Sequence, residues 1–216
     1  MSSLRYTLLT DGSSDRALIP IISWLFRQHL FEHEIQSEWA DLSRLPAPPP
    51  IKNLLERIEL AVNLYPCDVL FVHRDAEKDA IEDRGREIEE KLSSLPQLPV
   101  PVIKVIPVRM TEAWLLFDES AIRNAASNPN GKVILELPNP HSVEDIADPK
   151  LVLHDALKKA SQLPRSRLKK FNPHRRIHRI SELIDDFSPL RTLPAFCALE
   201  TELKSFLNTR FPRMNC

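Results

Sequence analysis

The sequence predicts an α/β fold: a mostly parallel sheet flanked by helices, followed by a mainly helical C-terminal part. Two observations carry this. Three short apolar runs, Leu4–Thr10, Asp68–Val72 and Val102–Ile106, have the length and composition of buried strands. Between them the apolar residues recur at helical spacing, and strands that alternate with amphipathic helices build parallel sheets through right-handed crossovers. At 216 residues the chain is long enough for one well-filled core with an appendage.

Leu4–Thr10 supplies the first strand and stops at Asp11-Gly12-Ser13-Ser14-Asp15. Ala17, Leu18, Ile21, Ile22, Leu25 and Phe26 then keep helical spacing, with Pro20 in the first turns, where a missing N–H is tolerated. Glu34–Trp39 carries a weaker strand pattern, and Pro46–Pro50 forms a stiff spacer of the polyproline kind. A helix through Ile51, Leu54, Leu55, Ile58 and Val62 leads to the strand Asp68–Val72, which ends at His73-Arg74-Asp75-Ala76-Glu77. A charged helix over Asp79–Leu92 leads to Val102–Ile106, and beyond it stands Pro107–Asp118, which contains Glu112. Residues 1–118 hold this α/β core, and 119–216 form the mainly helical subdomain. There Asn128–Pro140 reads as a loop with a hairpin-like Lys132–Leu135. Asp148-Pro149-Lys150 opens a helix to Ala160, and Ile180–Phe211 reads as helical apart from Ser188-Pro189.

Composition excludes several classes. With three glycines the chain has neither GxxxxGK[ST] nor GxGxxG, so a Gly-rich phosphate loop is ruled out. Cys67, Cys197 and Cys216 lack CxxC spacing, which supports neither a disulfide framework nor a zinc ribbon. No GxSxG elbow accompanies Ser13 and Ser14, and His174-x-x-x-His178 lacks the glutamate of a zinc-protease helix. No signal peptide is read, and no stretch approaches the ~18 apolar residues that span a bilayer. A cytoplasmic protein is expected.

Ligands of open α/β sheets bind outside the carboxyl ends of the strands. Here three strand ends meet acids: Asp11 and Asp15, Asp75 and Glu77, and Glu112. Converging carboxylates repel one another unless a cation sits among them, and hard oxygen ligands suit Mg2+ or Mn2+. Acids after strands are also common helix N-caps, and Asp11 or Asp15 alone would fit that role equally well. Three stretches ending alike favour the metal. Glu112 fits capping least, because it stands beside Trp114 and Leu115, where an unpaired carboxylate is costly. Arg74 and Arg109 either contact a phosphate bidentately or pair with the neighbouring acids. His73 adjoins the group, and a lone histidine at a strand end is more often structural than catalytic.

The order of these motifs, an acid-Gly-x-x-acid turn, a later Asp-x-Glu pair and a further acid, resembles the TOPRIM superfamily, whose core is a Rossmann-like sheet. Glu112-Ala113-Trp114-Leu115-Leu116 with Asp148-Pro149-Lys150 downstream resembles the compact bacterial TOPRIM-like proteins classed as domain-of-unknown-function family 4276. The likeness covers nearly the whole chain, and only the order and context of its short motifs make it specific. It implies Mg2+-dependent cleavage or transfer at nucleic-acid phosphodiesters, in a family associated with defence against phage, some members being nuclease partners of an ATPase. By position, Asp11 takes the place of the first acid, usually Glu and assigned acid/base work. Asp75 and Glu77 take the place of the D-x-D metal pair, and Glu112 adds an acidic ligand. The implied catalytic residues are thus Asp11, Asp75 and Glu112. Asp11 is one methylene shorter than the family's residue and Glu77 one longer, so metal binding is the firmer expectation.

A net charge of −1 hides an asymmetry. Ala156–Ser181 holds nine Lys/Arg and no Asp/Glu, leaving 20 basic against 30 acidic residues elsewhere. Lys158, Lys159, Arg165, Arg167, Lys169, Lys170, Arg175, Arg176 and Arg179 form a field that would neutralise nucleic-acid phosphates, interleaved with Phe171, His174 and His178. The alternative is a solvated face or a dock for an acidic partner. Lys150 either reaches the acid crevice or caps its helix. The leading expectation is a metal-dependent nuclease; another Mg2+-dependent phosphoryl transfer, or a non-catalytic binding or regulatory module, stays open beside it.

Overall fold

A computed structural model of the chain describes residues 3–50, 52–77, 80–94 and 98–212. Four strands, β1 (Ser3–Leu9), β2 (Glu34–Trp39), β3 (Val69–His73) and β4 (Val102–Val105), form one sheet in the order β2-β1-β3-β4. Every pairing is parallel. The central strands read as continuous apolar runs because both their faces are covered. β2 lies at an edge with no fully buried residue, which is why its pattern is weak.

Alternation along the strands sorts the core into two layers. Leu4, Tyr6 and Leu8 of β1, Val69 and Phe71 of β3, and Ile103 and Val105 of β4 face one way, against α1 (Leu18–His29). Leu9, Leu70 and Val72 face the other way, against α2 (Leu54–Leu64) and α3 (Ile81–Ser93). The helix after β1 therefore covers one face on the way to β2, and the next two helices cover the other face as the chain moves back past β1 to β3 and β4. Direction and face reverse together, as crossovers of a single hand require.

The remaining helices are α4 (Glu119–Ala125), α5 (Pro149–Ser161), α6 (Arg165–Leu168), α7 (Ile177–Leu183) and α8 (Pro194–Arg210). Ala121, Leu157, Ile180 and Phe196 join Leu8, Phe26 and Trp114 in one apolar cluster, so this part completes the core over the α1 face. Local signals set the helix starts. Asn53 accepts from the Glu56 N–H and its amide meets the Glu56 carboxylate, a reciprocal cap. Asp118 and Asp148 cap α4 and α5, the latter ahead of Pro149 at the first helical position. Glu202 of α8 accepts the Lys104 N–H of edge strand β4 at 2.9 Å.

Two expectations are corrected. Lys132–Leu135 forms no strand: Ile134 is 75% exposed and the Val133 carbonyl is held by the Arg123 guanidinium rather than by a partner strand. The helical run expected over Ile180–Phe211 is cut at Ile184–Leu193. Asp186 accepts from the Ser188 N–H and hydroxyl, a local turn, and Leu193 takes the extended conformation that a following proline favours. Ile51, Asp79 and Cys216 lie outside the described residues; Cys67 and Cys197 are free thiols. Among the described residues no helix is long and apolar enough to cross a membrane.

Candidate metal centre

From β1 the chain goes to β2 on one side, and from β3 to β4 on the other. The crevice between β1 and β3, outside their carboxyl ends, is where sheets of this kind take ligands. Three stretches meet there.

After β1 the chain enters a short 3-10 turn, Ser13–Ala17. The turn folds Asp15 back so that its Oδ2 accepts the Gly12 N–H at 3.0 Å, and the residue is 6% exposed. A side chain at Gly12 would begin 3.3 Å from that oxygen, so glycine leaves the room for this return. His73 closes β3 with the parity of Val69 and Phe71, which turns its imidazole to the α1 face, where it is buried. Its Nε2 lies 3.1 Å from both Asp75 Oδ1 and Thr111 Oγ1. Asp75 Oδ1 also accepts the Thr111 N–H at 3.1 Å. Because an ionised carboxylate only accepts, Nε2 carries the hydrogen of the bond to Asp75.

Nδ1 of His73 is buried without a hydrogen-bond partner and faces Asp15 Oδ2 at 3.7 Å. An acceptor nitrogen opposite an acceptor oxygen calls for positive charge between them, either a proton or a metal ion. Burial pulls the His73 pKa down, but the bond to Asp75 and the charges of Asp15, Asp75 and Asp11 outweigh it, and the net shift is upward. Asp15, His73 and Asp75 each offer one ligand atom, all within 4.8 Å of one another, and could hold a metal ion.

Glu112 enters from the 3-10 turn Thr111–Leu115 beyond β4 and is 2% exposed. Its Oε1 has no hydrogen-bond partner and lies 3.4 Å from Lys150 Nζ, near the start of α5. Burial pushes the Glu112 carboxyl up; Lys150 opposes this, while the charges of Asp15 and Asp75 reach the group and push it further. Lys150 thus extends to Glu112, and Asp148 caps the helix.

Asp11 and Glu77 stand differently. Asp11 Oδ2 is 2.9 Å from Arg74 Nε and Oδ1 is 3.5 Å from Arg57 Nη1, so both oxygens face arginines. Burial raises its pKa against the pull of Arg74, His73 and Arg57. Glu77 is exposed in a left-handed turn, φ 55°, and its carbonyl accepts from Arg109, itself left-handed at φ 65°. Such backbone costs about 1–2 kcal/mol for each non-glycine residue. Arg74 also approaches Glu87 at 3.7 Å. Both expected phosphate arginines therefore meet protein groups.

His73 belongs to the group rather than standing beside it as a structural histidine, and Thr111 and Arg57 are further members of the site that the sequence does not mark. Strand parity would have placed His73; Thr111 carries no sequence signal beyond preceding Glu112, and Arg57 none at all.

In the basic segment, Lys158 pairs with Asp155, Lys159 with Glu136 and Arg179 with Glu182. Arg176 bonds the Ala125 carbonyl and covers the Phe171 ring. Arg165, Arg167, Lys169, Lys170 and Arg175 are exposed and, among the described residues, make no ion pair. α7 packs on the Ser13–Ala17 turn and α5 on the Thr111–Leu115 turn, so the segment borders the crevice. Lys150, His154 and Lys158, four residues apart, share one face of α5. No family model, curated protein or solved structure matches the chain.

Proposed function

We propose that the chain is a divalent-metal-dependent phosphodiesterase of the TOPRIM-like kind, acting on nucleic acid. The observation that carries the reading is the group of Asp15, His73 and Asp75 at the carboxyl edge of the sheet, with buried Glu112, from a third stretch, within reach of the charges of Asp15 and Asp75. His73 Nδ1, buried without a hydrogen-bond partner, fits a cation beside Asp15, and Glu112 Oε1 accepts no hydrogen bond and has Lys150 3.4 Å away. The carboxylates suit Mg2+ or Mn2+, and the imidazole leans towards the softer of the two. An implied role in defence and an ATPase partner rest on the resemblance alone.

Asp15, Asp75 and Glu112 would hold the ion, with His73 in contact with two of them. A bound divalent ion polarises a phosphodiester and lowers the pKa of a coordinated water. His73 and Thr111 fix Asp75 in one orientation, the outer support that ligating carboxylates need. Lys150 stands ready to meet phosphate charge beside Glu112, and the exposed cations of residues 165–175 supply sequence-independent attraction. Asp11 takes up a metal-ligand or acid/base role only by giving up its contacts with Arg74 and Arg57.

Those bonds, and the exposure of Glu77, favour a second reading, in which the chain binds metal and nucleic acid without cutting. The test is hydrolysis of DNA and RNA under Mg2+ and Mn2+. The first reading expects cleavage that Asp75→Asn and Glu112→Gln each lower by about 100-fold or more. Salt-sensitive binding with no turnover in the unaltered protein would favour the second.

A further inference from the structure

Beside the crevice, on the β2 side of β1, lies a hollow of about 400 Å³. Its walls come from the ends of β1 and β2, the proline spacer and α2. Asp15, His73 and Asp75 of the metal-capable group are not among the residues that line it. We infer that this hollow is a nucleobase subsite, which takes a base carrying an exocyclic amine while the attached phosphate lies at the acid crevice. The inference rests on the nucleic-acid reading above and adds the substrate's base to it.

Trp39 and Pro48–Pro50 form rigid apolar walls. The indole Nε1–H donates to Thr10 Oγ1 at 3.1 Å, and the Arg16 guanidinium sits 5.7 Å from the ring centroid, so the ring is held in place. Prolines lose no rotamer freedom when they meet a ligand. Flat apolar walls with an aromatic among them suit a planar heterocycle, whose faces stack whatever its edge carries. The volume falls within the roughly 300–1,000 Å³ of small-molecule sites.

The polar groups decide the ligand's sign and orientation. Asp11 and Asp41 line the hollow; Asp11 faces Arg74 and Arg57, and Asp41 pairs with Arg44 and accepts from the Ser43 hydroxyl, but each carboxylate oxygen keeps a second lone pair that an amine hydrogen can use. Arg57 also lines it. This residue is 5% exposed, gives its Nη2 to the Thr10 carbonyl, and keeps Nε buried without a hydrogen-bond partner. Carboxylate acceptors match the exocyclic amine of adenine, cytosine or guanine better than the carbonyl-flanked edge of uracil. Gly12 and Ser13 form part of the wall, and the Gly12 N–H binds Asp15 of the metal-capable group. The hollow and the crevice thus adjoin at Gly12, so that a base in one and its phosphate at the other belong to a single nucleotide in this proposal.

Tryptophan fluorescence tests this directly. Trp24 and Trp114 are buried, while Trp39 is partly exposed, so quenching by an added small molecule reports on Trp39. Adenosine 5′-monophosphate is expected to quench saturably, uridine 5′-monophosphate at least about threefold more weakly, and ribose 5-phosphate not at all. Ser43→Leu narrows the hollow at an exposed position and should weaken the adenosine response about tenfold with the circular dichroism unchanged. Quenching by ribose 5-phosphate equal to that by the nucleotides overturns the subsite. Absence of quenching while nucleic acid is still cleaved overturns the subsite and leaves the phosphodiesterase standing. Base-dependent quenching in a protein that cleaves nothing supports the subsite and removes the phosphodiesterase.

Discussion

Glu112 is 2% exposed beside Ala113, Trp114 and Leu115, and its Oε1 accepts no hydrogen bond, with Lys150 Nζ 3.4 Å away. Its raised pKa has a consequence for stability. The folded chain keeps this proton at pH values where the unfolded chain, near ~4.3, has released it. Stability therefore falls as pH rises through the window between the unfolded and the raised folded value, and at neutral pH the charge is a burden. Glu112→Gln is expected to stabilise the metal-free protein at pH 7 by about 1 kcal/mol in urea unfolding, while lowering metal-dependent cleavage by about 100-fold or more. A loss of stability would contradict the assignment of Glu112 as a buried acid whose desolvation outweighs the charge of Lys150. This residue was legible in the sequence because a carboxylate in an apolar segment is costly. The choice between Asp11 and Asp15 was not: both follow β1, and only the 3-10 turn with its Gly12 return sends Asp15 inward. Arg57 was illegible for a different reason. It sits on an amphipathic helix, and its burial comes from the packing of α2 against the end of β1, a contact 47 residues apart.

Among the elements, β1, β3 and β4 were legible because burial on both faces writes a plain apolar run. The hairpin-like Lys132–Leu135 misled because apolar residues suffice for the pattern but not for the pairing. The breaks around α7 were hidden in Asp186 and Pro194, whose turn chemistry outweighs the helical spacing on either side. α8 is tied to the rest by Glu200, which is 6% exposed and accepts from Arg191 at 2.8 Å and meets His29 Nε2 at 2.7 Å. Burial pushes this carboxyl up, but the bonds from Arg191 and His29 and the charges of Arg191 and Lys204 outweigh it, and the net pKa is lowered. A depressed carboxylate contributes stability above the unfolded value, ~4.3, and loses it as pH falls through the folded value. Between pH 6 and pH 3 the unaltered protein should therefore lose about 1 kcal/mol more than Glu200→Gln does, read from thermal unfolding at each pH. Parallel pH curves for the two proteins would remove Glu200 from the acid lability.

At the scale of the whole molecule, a near-neutral chain carries an acidic crevice bordered by a basic segment, with α5 running from one to the other. That division was legible from charge counting, and its adjacency was not, since α5 and α7 reach the strand ends only through tertiary packing. Replacing Arg165, Arg167, Lys169, Lys170 and Arg175 together by alanine should weaken nucleic-acid binding evenly across sequences. The slope of log affinity against log salt should become shallower by up to about 4. An unchanged slope would make the segment a solvated face instead. The central claim, that Asp15, His73, Asp75 and Glu112 form one metal centre, is tested most directly by anomalous diffraction from a crystal soaked in Mn2+. A peak within about 2.0–2.3 Å of oxygens of Asp15 and Asp75, with Glu112 or His73 completing the set, is the result expected. No peak in the β1–β3 crevice, or one held by Asp11 and Glu77 without Asp15 and Asp75, would contradict it.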